Sequence, residues 1–205
     1  MATMSSAATF PLSAPYAQLT PDTVLDALEN SGMRTDRRLL ALNSFENRVY
    51  QVGLEDEAPV IAKFYRPGRW TDAAILEEHT FTLELAEREI PVVPPLKLWN
   101  QLSLHNHQGF RFAVYPRRGG RMPEFDRRET LEWMGRFIGR IHATGALKVY
   151  AHRPTLDIAS FGDEPRAFLL AGNFLPPDLL PAWKSVIDQA LAARSEEHTS
   201  ELQSR

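Results

Sequence analysis

A single lysine stands inside an apolar run, Val60-Ile61-Ala62-Lys63-Phe64-Tyr65, that Pro67 closes. Lysine is depleted from strands and seldom enters an interior without a partner. In a strand, alternation sets Ile61, Lys63 and Tyr65 on one face. The helix predicted next carries Ala74, Glu78, Phe81 and Leu85 at intervals of four, three and four, so these share one stripe. Glu77 falls instead with Ala73, Thr80 and Glu84 on a more solvated face. Glu78 is therefore the carboxylate that turns inward and can pair with Lys63 across the strand–helix interface. An ammonium group held in this way is placed to contact phosphate oxygens, as phosphoryl transfer requires. Each residue alone has a plainer explanation: a solvent-facing edge lysine and a surface glutamate.

The elements that must position this pair can be read from caps and periodicity. Thr20-Pro21-Asp22 opens a helix that Gly32 closes. LLALNSFENRVYQVGL and PVIAKFYR predict three strands, with connections at Asn43-Ser44 and from Glu55 to Ala58. Thr71-Asp72 starts a helix that ends near Arg88, and LKLWN and GFRFAVY predict two further strands around a polar turn at His105 to Gln108. PRRGGRMPEF reads as a linker. Beyond it the pattern is helical: Asp126 is the expected cap of a helix carrying Leu131, Met134, Ile138 and Ile141 and ending at Gly145, and another helix is predicted over 177–193.

Composition narrows the function classes. The 205 residues are 43% apolar and 24% charged, the balance of a globular protein, and the net charge of −3 offers no basic field for nucleic acid or an anionic membrane. The absence of cysteine excludes disulfides, thiol catalysis and cysteine-held zinc. MATMSSAATFPLSAPY lacks the basic and apolar regions of a signal peptide, and no apolar run approaches a membrane span, so a cytoplasmic protein is expected. The end, RSEEHTSELQSR, follows a helix abruptly, and residues 194–204 resemble one reading frame of a sequencing-library adapter. Residues 194–205 are therefore expected to be a non-native tail, with the natural chain continuing past Ala193.

LNSFENRVYQ, VIAKFYRPGRW, ILEEH, NHQGFRFAVYP, GRFIGRIHATG and HRPT together resemble the bacterial stress response kinases. These are serine/threonine protein kinases whose fold is similar to that of aminoglycoside phosphotransferases and choline kinases. The resemblance runs from about Leu19 to Ala193 and implies an α+β, two-lobed, protein-kinase-like fold. On this expectation residues 1–18 are a flexible N-terminus and 19–116 a complete strand-rich N-lobe that binds nucleotide. Residues 117–125 are then the hinge and linker, and 126–193 the start of a helical C-lobe. The resemblance further implies ATP and Mg²⁺ as cofactors, a serine or threonine hydroxyl of a protein as acceptor, and a monomeric full-length form.

Carried over residue by residue, the resemblance makes Lys63 the contact to the α/β-phosphates and Glu78 its helix partner. Ser44, sharing a turn with Asn47, would contact nucleotide phosphate where other kinases use a glycine-rich loop; this turn has no G-x-G-x-x-G and must supply hydroxyl and backbone N–H donors instead. Ordinary turn chemistry is the other reading of Asn43, Ser44 and Asn47. Ala113, Val114 and Tyr115 would form the hinge whose backbone groups bind adenine.

Neither a catalytic loop like H-G-D-x-H-x-x-N nor a D-x-D segment occurs in the sequence, and His152-Arg153-Pro154 has proline where a kinase H-R-D has its acid. No catalytic residue and no metal ligand is therefore assigned in this chain, and the chain itself is expected to be inactive. A small-molecule kinase and a non-catalytic nucleotide-binding module are the alternatives. His105-x-His107, without a third ligand, reads as a polar turn rather than a metal site. His142 reads as a packing or surface histidine, and Arg117, Arg118 and Arg121 as solvated charges or a contact to protein substrate.

Overall fold

Thr20 opens the first helix as its sequence predicts: its hydroxyl accepts the Thr23 N–H at 3.2 Å, and Pro21 occupies the first helical position, where no N–H is needed. The computed structural model describes residues 15–172 and 174–203. Residues 1–14 of the expected N-terminus and 204–205 of the expected tail lie outside the described residues. In chain order the elements are α1 (Pro21–Asn30), β1 (Thr35–Leu42), β2 (Arg48–Leu54), β3 (Val60–Phe64), α2 (Asp72–Glu87), β4 (His105–His107) and β5 (Phe110–Pro116). There follow α3 (Arg128–Gly145), a π-helical turn (Ala159–Asp163), α4 (Glu164–Ala171) and α5 (Leu180–Gln203). The fold is α+β.

The five strands form an antiparallel sheet in the order β1-β2-β3-β5-β4. Alternation gives each central strand two faces. Val52, Ala62, Phe64, Phe112 and Val114 point to one side and bury against Val24, Leu25 and Leu28 of α1, with the Phe64 and Phe112 rings stacked at 5.1 Å. On the other side Ile75 of α2 packs with Tyr65 and Ala113. The sheet is thus held between two helices, and Lys63 belongs to the α2 side. Thr71 caps α2 by accepting the Ala74 N–H at 3.2 Å, and the helix ends at Arg88, as expected.

Three expectations need correction. Leu96–Asn100 is not a strand: Pro94-Pro95 precede it, and Gln101, at φ 62, closes a turn by donating its N–H to the Leu98 carbonyl. The fourth strand is His105–His107, which the sequence suggested was a turn; it pairs with Phe110–Phe112. Only Gln108 and Gly109 lie between them, at φ 48 and 83, and two successive positive φ angles are the signature of the tight hairpin turn that matches strand twist. In α3 the N-cap is Arg127, with no side-chain capping bond, rather than Asp126. Leu131 and Ile138 remain 51% and 46% exposed, and Thr144 is the buried residue of that helix.

The chain divides into two compact units, Met1–His152 and Arg153–Arg205. Within the first, residues 15–18 form a turn, and the segment after α3 is fastened to α2. Glu77 accepts the Ala151 and His152 N–H groups at 2.6 and 3.0 Å, Lys148 pairs with Glu84 at 2.7 Å, and Phe81 meets Tyr150 edge-on at 5.6 Å. On the face read as more solvated, Glu77 and Glu84 are therefore partly buried and occupied, while Ala73 and Thr80 are exposed. Within the second unit, Asp157 accepts the Ser160 N–H at 2.8 Å beside the π-helical turn, and Arg166 of α4 pairs with Asp188 of α5 at 2.7 Å. The sequence reading gave no sign of α4. α5 begins at Leu180 and continues past position 194. Among the described residues no helix is long and apolar enough to cross a membrane.

Candidate functional site

β3 and α2 bring the predicted pair together: Lys63 Nζ lies 3.2 Å from Glu78 Oε1, with the side chains 24% and 33% exposed. The ammonium also stands 4.7 Å from the centroid of the Tyr65 ring, on the same face of the strand. Both members of the pair line an open cleft of about 390 Å³, walled by Val49, Ile61, Val93 and Tyr115. A positioned cation beside a flat apolar wall suits a ligand that joins a planar ring to an anion. Arg118, read from sequence as solvated, also borders this cleft, whereas Arg117 donates to Gln51 Oε1 at 2.8 Å.

Ser44 and Asn47 occupy the connection between β1 and β2, close along the chain to Val49, which pairs with Lys63. The Ser44 hydroxyl donates to the Asn47 carbonyl at 2.8 Å, and Asn47 Oδ1 accepts the Arg66 N–H at 3.2 Å. Neither side chain lines the cleft. Glu46 anchors the turn. Its carboxylate accepts Trp70 Nε1 at 3.0 Å and Arg69 Nε at 3.1 Å, and its carbonyl accepts the Tyr16 hydroxyl at 2.9 Å. Burial pushes the Glu46 pKa up, but these hydrogen bonds and the charges of Arg69 and Arg66 outweigh it and hold the carboxyl below its ordinary range. Burial drives the Tyr16 hydroxyl up to about 12, against the pull of Arg48, whose guanidinium lies 4.6 Å from the ring centroid. A turn without glycine is thus made rigid by its neighbours.

Val114 and Tyr115 separate at the end of β5. Val114 is fully buried on the α1 side, and its carbonyl accepts the Leu96 N–H at 2.7 Å. Tyr115 is in register with Ile61, and the Tyr65 N–H bond to the Arg111 carbonyl at 2.9 Å fixes the alternation, so the Tyr115 backbone faces β3. What Tyr115 brings to the cleft is its side chain. The next backbone group on the Val114 edge is the carbonyl of Pro116, itself part of the cleft wall.

The sequence reading assigned no role to His79. Its ring is 1% exposed, one nitrogen lying 2.7 Å from the Tyr65 hydroxyl and the other 2.9 Å from Ser103 Oγ. The Tyr65 hydroxyl in turn meets that of Tyr115 at 3.2 Å. Burial lowers the His79 pKa to about 4, with Lys63 and His105 adding to the effect and Glu78 opposing it, so the ring is neutral near neutral pH. Burial raises the Tyr115 pKa, partly offset by the bond from Tyr65. The available signal was helical spacing: His79 stands one turn beyond Ile75, on the stripe that packs against the sheet. His105 and His107 lie on β4, each with a buried Nε2 lacking a protein partner, and His142 is exposed. Among the described residues no group of three or more metal-ligating side chains occurs.

Comparison with known proteins places this geometry. The family model described as phosphotransferase enzyme family (APH) matches residues 38–202. Stress response kinase A of Escherichia coli is 44% identical over 178 residues, which cover 87% of this chain and 54% of that protein. Serine/threonine protein kinase RdoA of Salmonella typhimurium is 40% identical over 181 residues, 88% of this chain and 55% of that protein. The chain thus spans about half the length of these relatives. Among solved structures, amicoumacin kinase hAmiN in complex with AMP-PNP, Ca²⁺ and Ami superposes with a TM-score of 0.66 at 17% identity, over 85% of this chain and 53% of that one. That likeness establishes the kinase-like fold of the aminoglycoside phosphotransferases. A lysine–glutamate pair set between a five-stranded sheet and its helix, with the matched family model, leads to one conclusion: the chain belongs to the phosphotransferase enzyme family.

Proposed function

We propose that this chain is the nucleotide-holding part of an ATP-dependent serine/threonine protein kinase. The observation that carries the reading is the 3.2 Å contact between Lys63 and Glu78 at the lip of an apolar-walled cleft. In this reading the ammonium holds the α- and β-phosphates of ATP, and Glu78 keeps it in place. Adenine lies against Ile61 and Tyr115 at the end of β5, where Val114 and Tyr115 lead to the Pro116 carbonyl. Ser44 and Asn47 form the turn over the phosphates, the Ser44 hydroxyl leaving the Asn47 carbonyl to meet an oxygen. Mg²⁺, when bound with ATP, would neutralise phosphate charge. We place its ligands and the catalytic aspartate outside residues 1–193, in keeping with a match that covers only 54% of the Escherichia coli relative and with a sequence that holds no H-G-D loop. The relative named serine/threonine protein kinase RdoA favours a protein hydroxyl as acceptor. A small-molecule acceptor is the second reading, suggested by the amicoumacin kinase fold neighbour.

Calorimetry of ATP and AMP binding to the 205-residue chain tests the reading. Lys63→Ala should weaken ATP about tenfold or more, the worth of a charge-assisted contact, while AMP changes far less. Equal affinity of the unaltered chain for ATP and AMP, or an unchanged preference in Lys63→Ala, would remove the phosphate role.

A further inference from the structure

The Lys63–Glu78 pair is too weak a fastening to place α2 by itself. Both side chains reach solvent, and ion pairs in that setting contribute little. The neighbouring residue on the helix is in the opposite situation. His79 is sealed from water, and both ring nitrogens have partners: the Tyr65 hydroxyl, just beyond β3, and Ser103, on the segment that leads into β4. The Tyr65 hydroxyl continues the chain to Tyr115 on β5, so one ring ties α2 directly to the segments flanking β3 and β4 and, through Tyr65, to β5. Withdrawing any member would leave a buried polar group unmet, which is costly, so the arrangement resists sliding.

This network borders the ion pair from both sides. Glu78 precedes His79 directly in the chain, and the Lys63 ammonium lies over the ring of Tyr65. A shift of the imidazole therefore displaces the carboxylate through the helix backbone and the ammonium through the tyrosine ring. Elsewhere on α2, Ile75 packs against the sheet with Tyr65 and Ala113 and Asp72 pairs with Arg111 of β5 at 2.7 Å, both nearer the start of the helix than Glu78, whereas Glu77 and Glu84 engage the segment after α3.

We infer that His79 is a positioning residue for the Lys63–Glu78 pair: its buried ring sets the level of α2 at which Glu78 meets the ammonium and, through Tyr65, holds Tyr115 in the cleft wall. The inference rests on the reading of that pair as the phosphate-holding element. His79 touches neither nucleotide nor phosphate and acts through the residues that do.

The test measures the ratio of ATP to AMP affinity by calorimetry on the 205-residue chain, together with urea midpoints. His79→Ala should lower the ratio about tenfold, and Tyr65→Phe, which removes a single hydroxyl and preserves packing, about threefold. His79→Gln, which keeps a donor and an acceptor, should recover most of the ratio. In a Glu78→Ala background, His79→Ala should lower the ratio no further, whereas the two stability losses should add. An intact ratio in Tyr65→Phe and His79→Ala at reduced urea midpoints would mean that the network only stabilises the fold. An undiminished effect of His79→Ala on the ratio without Glu78 would equally overturn the inference. If His79→Ala does not fold, Tyr65→Phe with and without Glu78→Ala decides the matter. Should Lys63→Ala and Glu78→Ala themselves leave the ratio unmoved, the nucleotide reading fails; should they abolish it while Tyr65→Phe does nothing, only the role of His79 fails.

Discussion

Acidification should unfasten α2 before it disturbs the carboxylate network, and His79 is the reason. In an unfolded chain a histidine titrates near 6.5, whereas burial holds the folded ring at about 4. Between those values the unfolded state binds a proton that the native state excludes. The contribution is therefore complete above about pH 6.5 and is lost as pH falls toward about pH 4. At about 1.36 kcal/mol per pKa unit the whole loss is about 3 kcal/mol, and integrating the two titrations places about 2 kcal/mol of it between pH 7 and pH 5. With a urea dependence of about 2 kcal/mol per molar, the midpoint should fall about 1 M over that interval. His79→Gln has no proton to gain, so it should be less stable than the unaltered chain at neutral pH and flatter on acidification. Burial also lowers the His105 pKa, and comparison with His79→Gln subtracts its share. Glu46 and Glu84, held below the ordinary carboxylate range, lose their contributions only at lower pH. Midpoints of the two proteins that fall in parallel would refute the reasoning, since the buried ring would then be titrating as freely as an exposed one.

Four further outcomes are expected. Glu77→Ala should release the Ala151 and His152 amides to hydrogen exchange and cost about 1–2 kcal/mol, with Glu77→Gln milder; unchanged protection would mean that Glu77 does not hold the segment. Ser44→Ala should weaken ATP more than AMP if the turn cradles phosphate, and calorimetry showing equal weakening would leave it a structural turn. Gly109→Ala should cost about 1 kcal/mol in thermal unfolding because φ is 83 there, whereas a neutral result would mean that the hairpin turn relaxes into another type. Because Leu131, Trp133 and Ile138 of α3 are about half exposed, the chain should bind a hydrophobic dye and self-associate on size exclusion; polar replacement of all three should abolish both, and a monomeric, dye-silent parent chain would contradict the expectation.

The pair at the centre of the site was legible because two periodicities meet there. A period of two in β3 and a near-four spacing in α2 were enough to choose Glu78 over Glu77. Caps were legible where a hydroxyl does the capping, as at Thr20 and Thr71, and misled at Asp126, whose neighbour Arg127 takes the N-cap position without a side-chain bond. β4 escaped because a three-residue edge strand of His, Asn and His has no apolar alternation to announce it, while Leu96–Asn100 has the alternation but follows two prolines. His79 escaped for a different reason. Its spacing from Ile75 marks the buried stripe of α2, but the hydroxyls of Tyr65 and Ser103 that satisfy the ring lie 14 and 24 residues away and leave no local pattern.

The two-faced sheet has a consequence for how this family can change. Along β3, Val60, Ala62 and Phe64 bury against α1, and Ile61 and Lys63 border the cleft. Substitutions in the first set act chiefly on whether the chain folds, and those in the second on what it holds. Odd and even positions of one short strand thus carry separate demands, and a change at Ile61 can reshape the cleft while the α1 core stays fixed. The cost is intolerance to changes of length: a one-residue insertion would exchange the two sets, burying the lysine beneath α1 and turning a phenylalanine into the cleft.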